Sequence, residues 1–210
     1  MTSHPKDVGE DLISLFGEYK NLCSHFHLPV QSGSDKLLER MRRQYNREYY
    51  IKVAEGLRKA RPDIALTTDF IVGFPGEDEK DFEDSISLMD EVRFDFSYSF
   101  SYSPRPGTTA LRFEDHIPES EKRKRLDILQ NRQRQISLEK NERLIGSVEE
   151  VLVESFSPEG LKWMGRTSSN KIVYFTLAGK WDEKGDMLGK TVSVKMSKAQ
   201  PHSLIGELYE

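Results

Sequence analysis

The sequence predicts an α/β unit on a short parallel sheet, followed by a small five-stranded all-β barrel of OB-like type. Three observations carry this. Over the first two thirds, short apolar runs alternate with amphipathic stretches, the pattern of strand–helix–strand units joined by right-handed crossovers. Residues 64–74 are apolar on both faces, as in a parallel strand covered by helices. Beyond a long charged helix the composition shifts to five short strands with turns between them, which is barrel spacing. The expected domains are residues 1–143 and 144–210.

The elements follow in order. Residues 7–19 carry Leu12, Ile13, Leu15 and Phe16 at helical spacing. Residues 26–30 are a short strand-like run stopped by Gln31-Ser32-Gly33-Ser34, where Gly33 is expected to take a positive φ. Ser34 or Asp35 then caps a helix through Leu37, Leu38 and Met41. Residues 47–59 predict a second helix, with Tyr50, Ile51, Ala54 and Leu57 inward and Pro62 beyond its end. The strand at 64–74 turns at Pro75-Gly76-Glu77-Asp78 into a helix over 78–92, with Phe82, Ile86, Leu88 and Met89 inward. Residues 94–102 form a third strand, ended by Ser103-Pro104-Arg105-Pro106-Gly107. Three polar loops, 31–34, 73–77 and 103–108, thus fall at the carboxyl ends of strands, where such sheets bind ligands. Residues 118–143 are a long helix with eight basic and five acidic side chains, read as a salt-bridged face toward solvent. Strands are predicted over 148–154, 162–167, 171–177, 191–197 and 203–209, with Trp163 and Phe175 in the core.

Composition sets limits. The 210 residues carry a net charge of −4 and a mean hydropathy of −0.64. An acidic chain has no bulk basic coat, so any nucleic-acid site must be local; residues 144–210 by themselves carry a slight acidic excess. The single cysteine, Cys23, excludes an internal disulfide, a multi-cysteine zinc site and a three-cysteine cluster within these residues; its expected role is a small buried apolar side chain. No apolar run approaches the length that spans a bilayer, and residues 1–6 do not read as a signal peptide. The expectation is a cytoplasmic protein without membrane contact. The five histidines show no metal-ligand spacing and the serines no nucleophile elbow, so no metal ligand and no catalytic residue is assigned.

Four ordered motifs carry a resemblance. His27-Leu28-Pro29-Val30-Gln31-Ser32-Gly33-Ser34, followed by Met41-Arg42-Arg43 and Tyr45, is the first. Thr68-Asp69-Phe70-Ile71-Val72-Gly73-Phe74-Pro75-Gly76-Glu77 is the second, and Tyr102-Ser103-Pro104-Arg105-Pro106-Gly107-Thr108 the third. Gly165-Arg166-Thr167 with Asn170-Lys171-Ile172-Val173 is the last. Together they resemble the radical S-adenosylmethionine (SAM) methylthiotransferases over nearly the whole chain. The forms of the first and third motifs favour the branch that methylthiolates an isopentenylated adenosine beside the tRNA anticodon.

The resemblance implies the C-terminal part of a radical SAM partial barrel and a TRAM domain. It implies SAM as cofactor, contacted by Gln31, Ser32, Arg43, Asp69 and Gly73, with Arg43 clamping the carboxylate. It implies a tRNA anticodon stem-loop as partner, met by Tyr102, Ser103 and Arg105 on the barrel and by Arg166, Asn170 and Lys171 on the TRAM domain. The family's cysteine-rich N-terminal domain and its C-x-x-x-C-x-x-C loop have no counterpart here. In those enzymes a [4Fe–4S] cluster donates the electron that splits SAM into methionine and a 5′-deoxyadenosyl radical. The expectation is a chain inactive alone, which ligates no cluster and works with a separate N-terminal half. The alternatives are a non-catalytic TRAM-type RNA-binding protein with a degenerate half-barrel, and a fragment of the ribosomal-protein methylthiotransferase.

Overall fold

A computed structural model describes residues 3–157, 162–176 and 187–209. The chain divides into two compact units, residues 1–22 with 26–136, and residues 23–25 with 137–210.

The first unit is a three-stranded sheet in the order β1 (His25–His27), β2 (Ala65–Val72), β3 (Phe96–Ser101). β2 and β3 run parallel, with Thr67 opposite Phe96 and Val72 opposite Ser101. The connections are helical: α2 (Asp35–Arg40) and α3 (Arg47–Ala60) between β1 and β2, and α4 (Glu79–Val92) between β2 and β3. α1 (Glu10–Glu18) precedes the sheet. α2, α3 and α4 each begin where a side chain takes up an orphan N–H group. Ser34 caps α2 by accepting from the Leu37 N–H, Asn46 caps α3 through the Tyr49 N–H, and Asp78 opens α4 with a reciprocal capping box to Asp81. Leu28, Val30, Leu57, Leu66, Phe70, Leu88, Met89 and Phe94 are buried together in one cluster. Each such side chain contributes about 1.5–3 kcal/mol. Tyr50 is fully buried among them, and its hydroxyl donates to the Leu28 carbonyl at 2.7 Å; burial pushes its pKa far up.

Several sequence expectations are corrected. Gly33 does not take a positive φ; Gln31 does, at +77°. Gly33 is needed for closeness instead, since a Cβ there would stand 2.2 Å from the Asp84 carbonyl of α4. Cys23 is exposed, because it lies between two bends ahead of the strand, which begins only at His25. Two of the sheet strands end before their apolar runs do: Pro29 lies within the first run and Pro75 just past the second, and a proline has no N–H for a ladder. α5 (Glu119–Glu142) is not a purely solvated face, for it buries Lys122, Arg125 and Gln133 beside Leu129 and Ile136.

The second unit is a closed barrel in the order β4 (Val148–Ser157), β5 (Lys162–Thr167), β6 (Ile172–Thr176), β8 (Ser203–Leu208), β7 (Thr191–Gln200). All its pairs are antiparallel except β6 with β8. The two ten-residue strands carry irregularities at Val153/Ser155 and Met196/Lys198, which let long strands bend around a small barrel. Inside lie Val151, Val153, Trp163, Val173, Phe175, Val194, Met196 and Leu204, so Trp163 and Phe175 are core as expected. Leu177 of the third predicted barrel strand lies outside the described residues. Among the described residues no helix is long and apolar enough to cross a membrane.

Candidate functional site

One cleft of ≈ 680 Å³ opens at the carboxyl ends of the three strands, a volume in the range of small-molecule sites. Its wall comes from four segments: Gln31 beyond β1, Asp69, Ile71 and Phe74 on and after β2, Phe100 to Ser103 with Arg105 and Thr108 at the end of β3 and after it, and Arg40–Arg43 at the end of α2 and in the turn that follows.

Each side chain is held there for a local reason. Gln31 extends β1 past its end: its N–H donates to the Asp69 carbonyl at 2.8 Å, and its carbonyl accepts from the Ile71 N–H at 2.9 Å. Those two bonds hold a non-glycine residue in the left-handed region, a conformation that costs of order 1–3 kcal/mol and clusters at functional sites. Asp69 shares the cleft face of β2 with Ile71. Its carboxylate lies 3.4 Å from His27 Nε2, while His27 Nδ1 lies 2.9 Å from the Thr67 hydroxyl. The carboxylate is thus oriented from behind and stays a quarter exposed. Arg43 is half-buried, with its Nε buried and unpartnered. Tyr102 continues β3, its N–H donating to the Val72 carbonyl at 2.8 Å, and its hydroxyl is also buried and unpartnered. Arg40 pairs through Nη2 with Asp115 at 2.5 Å and lies 4.2 Å over the Phe113 ring, while its Nε is buried without a partner.

The structure therefore brings together Gln31, Arg43, Asp69, Tyr102, Ser103 and Arg105. It does not bring Ser32 or Gly73 to the cleft wall. Ser32 is fully buried, its Oγ accepting from the Ser34 N–H at 3.2 Å and lying 3.4 Å from Ser85 Oγ. Gly73 has φ +70°, and its Cα faces the stem of Lys122 so closely that a Cβ would meet Lys122 Cγ at 2.3 Å. Its N–H donates to Glu77 Oε1. Arg166, Asn170 and Lys171 lie in the barrel unit around the β5–β6 turn. Arg166 reaches Asn170 Oδ1 at 3.0 Å and Glu154 at 3.2 Å, and Lys171 Nζ donates to Asn141 Oδ1 at 2.9 Å.

Sequence reasoning missed the layer beneath the cleft. Glu77 is 3% exposed, and its Oε1 accepts from Arg125 Nη1 at 2.8 Å. Burial pushes the Glu77 carboxyl above the usual carboxylate range, with the Gly73 N–H and the Arg125 guanidinium opposing it. Lys122 Nζ donates to the Tyr102 carbonyl at 3.3 Å. In sequence Glu77 reads as a charge at a helix N-terminus, and the stripe 122, 125, 129, 133, 136 has helical spacing but mixed polarity.

The donors suit SAM. An unpartnered guanidinium N–H matches a carboxylate, an aspartate that is a quarter exposed matches an ammonium or ribose hydroxyls, and Ile71, Phe74 and Phe100 supply apolar wall. An iron–sulfur cluster does not fit these residues alone, because it needs several thiolates and the sequence has one cysteine. Among the described residues no group of three His, Cys, Asp or Glu is arranged to hold a metal.

Comparison with known proteins agrees. Residues 1–89 match the Radical SAM superfamily and residues 142–209 the TRAM domain. The chain is 48% identical over 208 residues to a tRNA-2-methylthio-N(6)-dimethylallyladenosine synthase of Clostridium botulinum strain Okra, covering 99% of this chain and 45% of that protein. It is 44% identical over 207 residues to the synthase of Solibacter usitatus, covering 98% of this chain and 46% of that one. The chain belongs to the radical SAM methylthiotransferase family. It spans about half the length of the curated relatives it matches. A solved structure, the radical SAM coproporphyrinogen III oxidase of Escherichia coli, aligns at a TM-score of 0.51 and 17% identity, over 97% of this chain and 49% of that one. That likeness bears on fold alone. Within the family's architecture the cleft occupies the strand ends of the radical SAM unit, and the five-stranded barrel is the TRAM domain.

Proposed function

We propose that these residues supply the SAM pocket and the tRNA-binding parts of a tRNA methylthiotransferase acting on N(6)-isopentenyladenosine beside the anticodon. The observation that carries the reading is the cleft itself: its lining residues include Arg43, whose Nε is buried without a partner after α2, and Tyr102, whose hydroxyl is buried without a partner at the end of β3, in a chain 44–48% identical to such synthases. In this reading Arg43 holds the SAM carboxylate, and Asp69, fixed by His27, takes the ammonium or the ribose hydroxyls. Gln31 closes the floor of the pocket. Ser32 and Gly73 serve the fold around it, Ser32 by tying the first loop to α4 and Gly73 by admitting Lys122. Tyr102, Ser103 and Arg105 meet the target adenosine, by stacking and phosphate contact. Arg166, Asn170 and Lys171 present the RNA face of the TRAM barrel. SAM, together with iron–sulfur clusters ligated by cysteines outside these residues, supplies the hydrogen-atom abstraction and the methylthio group. A tRNA substrate makes the protein cytoplasmic.

The test is complementation. The chain is expressed alone, and with the N-terminal half of a full-length synthase, in cells lacking their own synthase. The 2-methylthio nucleoside in bulk tRNA is then measured by mass spectrometry. Product only with the supplied half is the expected result. Its absence in both cases, with soluble protein present, contradicts the reading and leaves an RNA-binding module; methylthiolated ribosomal protein instead of tRNA assigns the chain to the other branch.

A further inference from the structure

The cleft carries more positive charge than SAM can use. Four arginines line it, Arg40, Arg42, Arg43 and Arg105, against one carboxylate, Asp69. Arg40 is paired with Asp115. Among the described residues Arg42, Arg43 and Arg105 have no ion-pair partner. SAM has an ammonium and a sulfonium against a single carboxylate, so it is a net cation, and one guanidinium suffices for it. The half-buried Arg43 fills that role in the proposed function, on which the present argument rests. Arg42 and Arg105 are left exposed at the mouth.

Arg42 also stands where an arginine is costly. It follows α2 in the left-handed region, φ +58°, with its N–H on the Glu39 carbonyl and the Arg43 N–H on the Leu38 carbonyl. This is the helix-ending position that glycine usually takes. A branched-free backbone would serve the turn better than an arginine does, so the side chain itself needs an explanation. Across the cleft, Arg105 is held between Pro104 and Pro106, and its carbonyl accepts from the Thr108 hydroxyl at 2.8 Å. Both arginines line the one cleft, from two different turns.

We propose that Arg42 and Arg105 form a phosphodiester-binding site at the mouth of the cleft, which grips the RNA backbone next to the target adenosine while the deeper part holds SAM. Guanidinium groups bind phosphate oxygens through paired N–H donors. A backbone grip also accounts for exposed, unpaired arginines at the entrance of a pocket whose own cofactor is cationic.

The test uses the 210-residue chain and an RNA anticodon stem-loop, either natural or with uncharged methylphosphonate linkages flanking the adenosine 3′ of the anticodon. Binding is followed by fluorescence anisotropy across a salt series. Arg42→Gly keeps or improves the helix ending, so lost binding in it does not report misfolding; Arg105→Gln is the second variant. Each is expected to weaken binding of natural RNA about five-fold near 0.1 M salt and to flatten the log–log salt slope by about 0.7, the value for one single-strand phosphate contact. The neutral linkages should weaken the native chain similarly and Arg42→Gly no further. Native affinity and slope in both variants, or undiminished sensitivity of Arg42→Gly to the neutral linkages, overturns the proposal. The readout is RNA binding and not methylthio product, so failure here leaves the proposed function standing, and absence of product leaves this site to be judged by its own result.

Discussion

Under the turn that follows β2, Glu77 Oε1 accepts from both the Gly73 N–H and the Arg125 guanidinium, in a place where both side chains are almost wholly excluded from water. A buried pair of this kind is worth little net against apolar residues of the same shape, but removing one partner strands a charge. Arg125→Met is therefore expected to destabilise the first unit by about 3–5 kcal/mol, read as a shift of the urea midpoint. Arg125→Met combined with Glu77→Leu should recover most of that loss; a double variant no better than the single one contradicts the account. At this scale the sequence was uneven. Asp69 stood out, because a carboxylate inside an apolar strand demands a reason, and it does line the cleft. Gln31 was found but its conformation was not. Nothing in a sequence says that glycine's tolerance of a left-handed φ will go unused at Gly33 while Gln31 adopts it two residues earlier; the close approach of α4 decides that.

At the scale of elements, the starts of α2 and α4 share one network. Asp81 accepts from Ser34 Oγ at 2.6 Å and from Lys36 Nζ at 2.6 Å, and Lys36 also reaches Asp78 at 2.8 Å. The hydrogen bond from Lys36, helped by the Asp81 backbone N–H, holds the Asp78 carboxyl down at about 2. A carboxyl depressed on folding contributes stability above its unfolded value near 4 and loses it as pH falls through the folded one. Thermal unfolding should therefore show an acid limb between about pH 4 and 2 that Lys36→Met flattens; an unchanged limb argues against the pair. The helices at this scale were legible where period and cap agreed, as in α3 and α4. α5 was not. Its buried stripe runs Lys122, Arg125, Leu129, Gln133, Ile136, and two cations and an amide in a core-facing line defeat any reading based on apolar period. Their burial follows from partners distant in sequence, Glu77 and the Tyr102 and Phe94 carbonyls.

For the molecule as a whole, the two units differ in how they deal with sheet edges. The TRAM barrel closes on itself and, among the described residues, its core cluster is made of Val151, Val153, Trp163, Val173, Phe175, Val194, Met196 and Leu204, so a fragment from Ser137 onward should unfold in a single cooperative urea transition. A broad, non-cooperative loss would contradict that independence. The first unit is an open sheet of three strands, with Tyr98 and Phe100 51% and 55% exposed on one face. Apolar surface of that kind marks a place where more protein or a ligand belongs, in keeping with relatives twice as long. Fold class was readable here because apolar runs, caps and turn residues agree over long stretches. The grouping of the cleft residues followed from one rule, that ligands gather at the carboxyl ends of parallel strands. The rule named loops, while the three-dimensional packing decided that Ser32 and Gly73 turn away and that Arg42 turns in. The central claim is that this one cleft holds SAM, and the most direct measurement is a calorimetric titration of SAM into the chain assembled with the N-terminal half of a full-length synthase. Arg43→Gln and Asp69→Asn should each weaken binding by at least about ten-fold, as loss of a charge-assisted contact implies, while Ser32→Ala leaves it unchanged. Native affinity in both cleft variants would contradict the account.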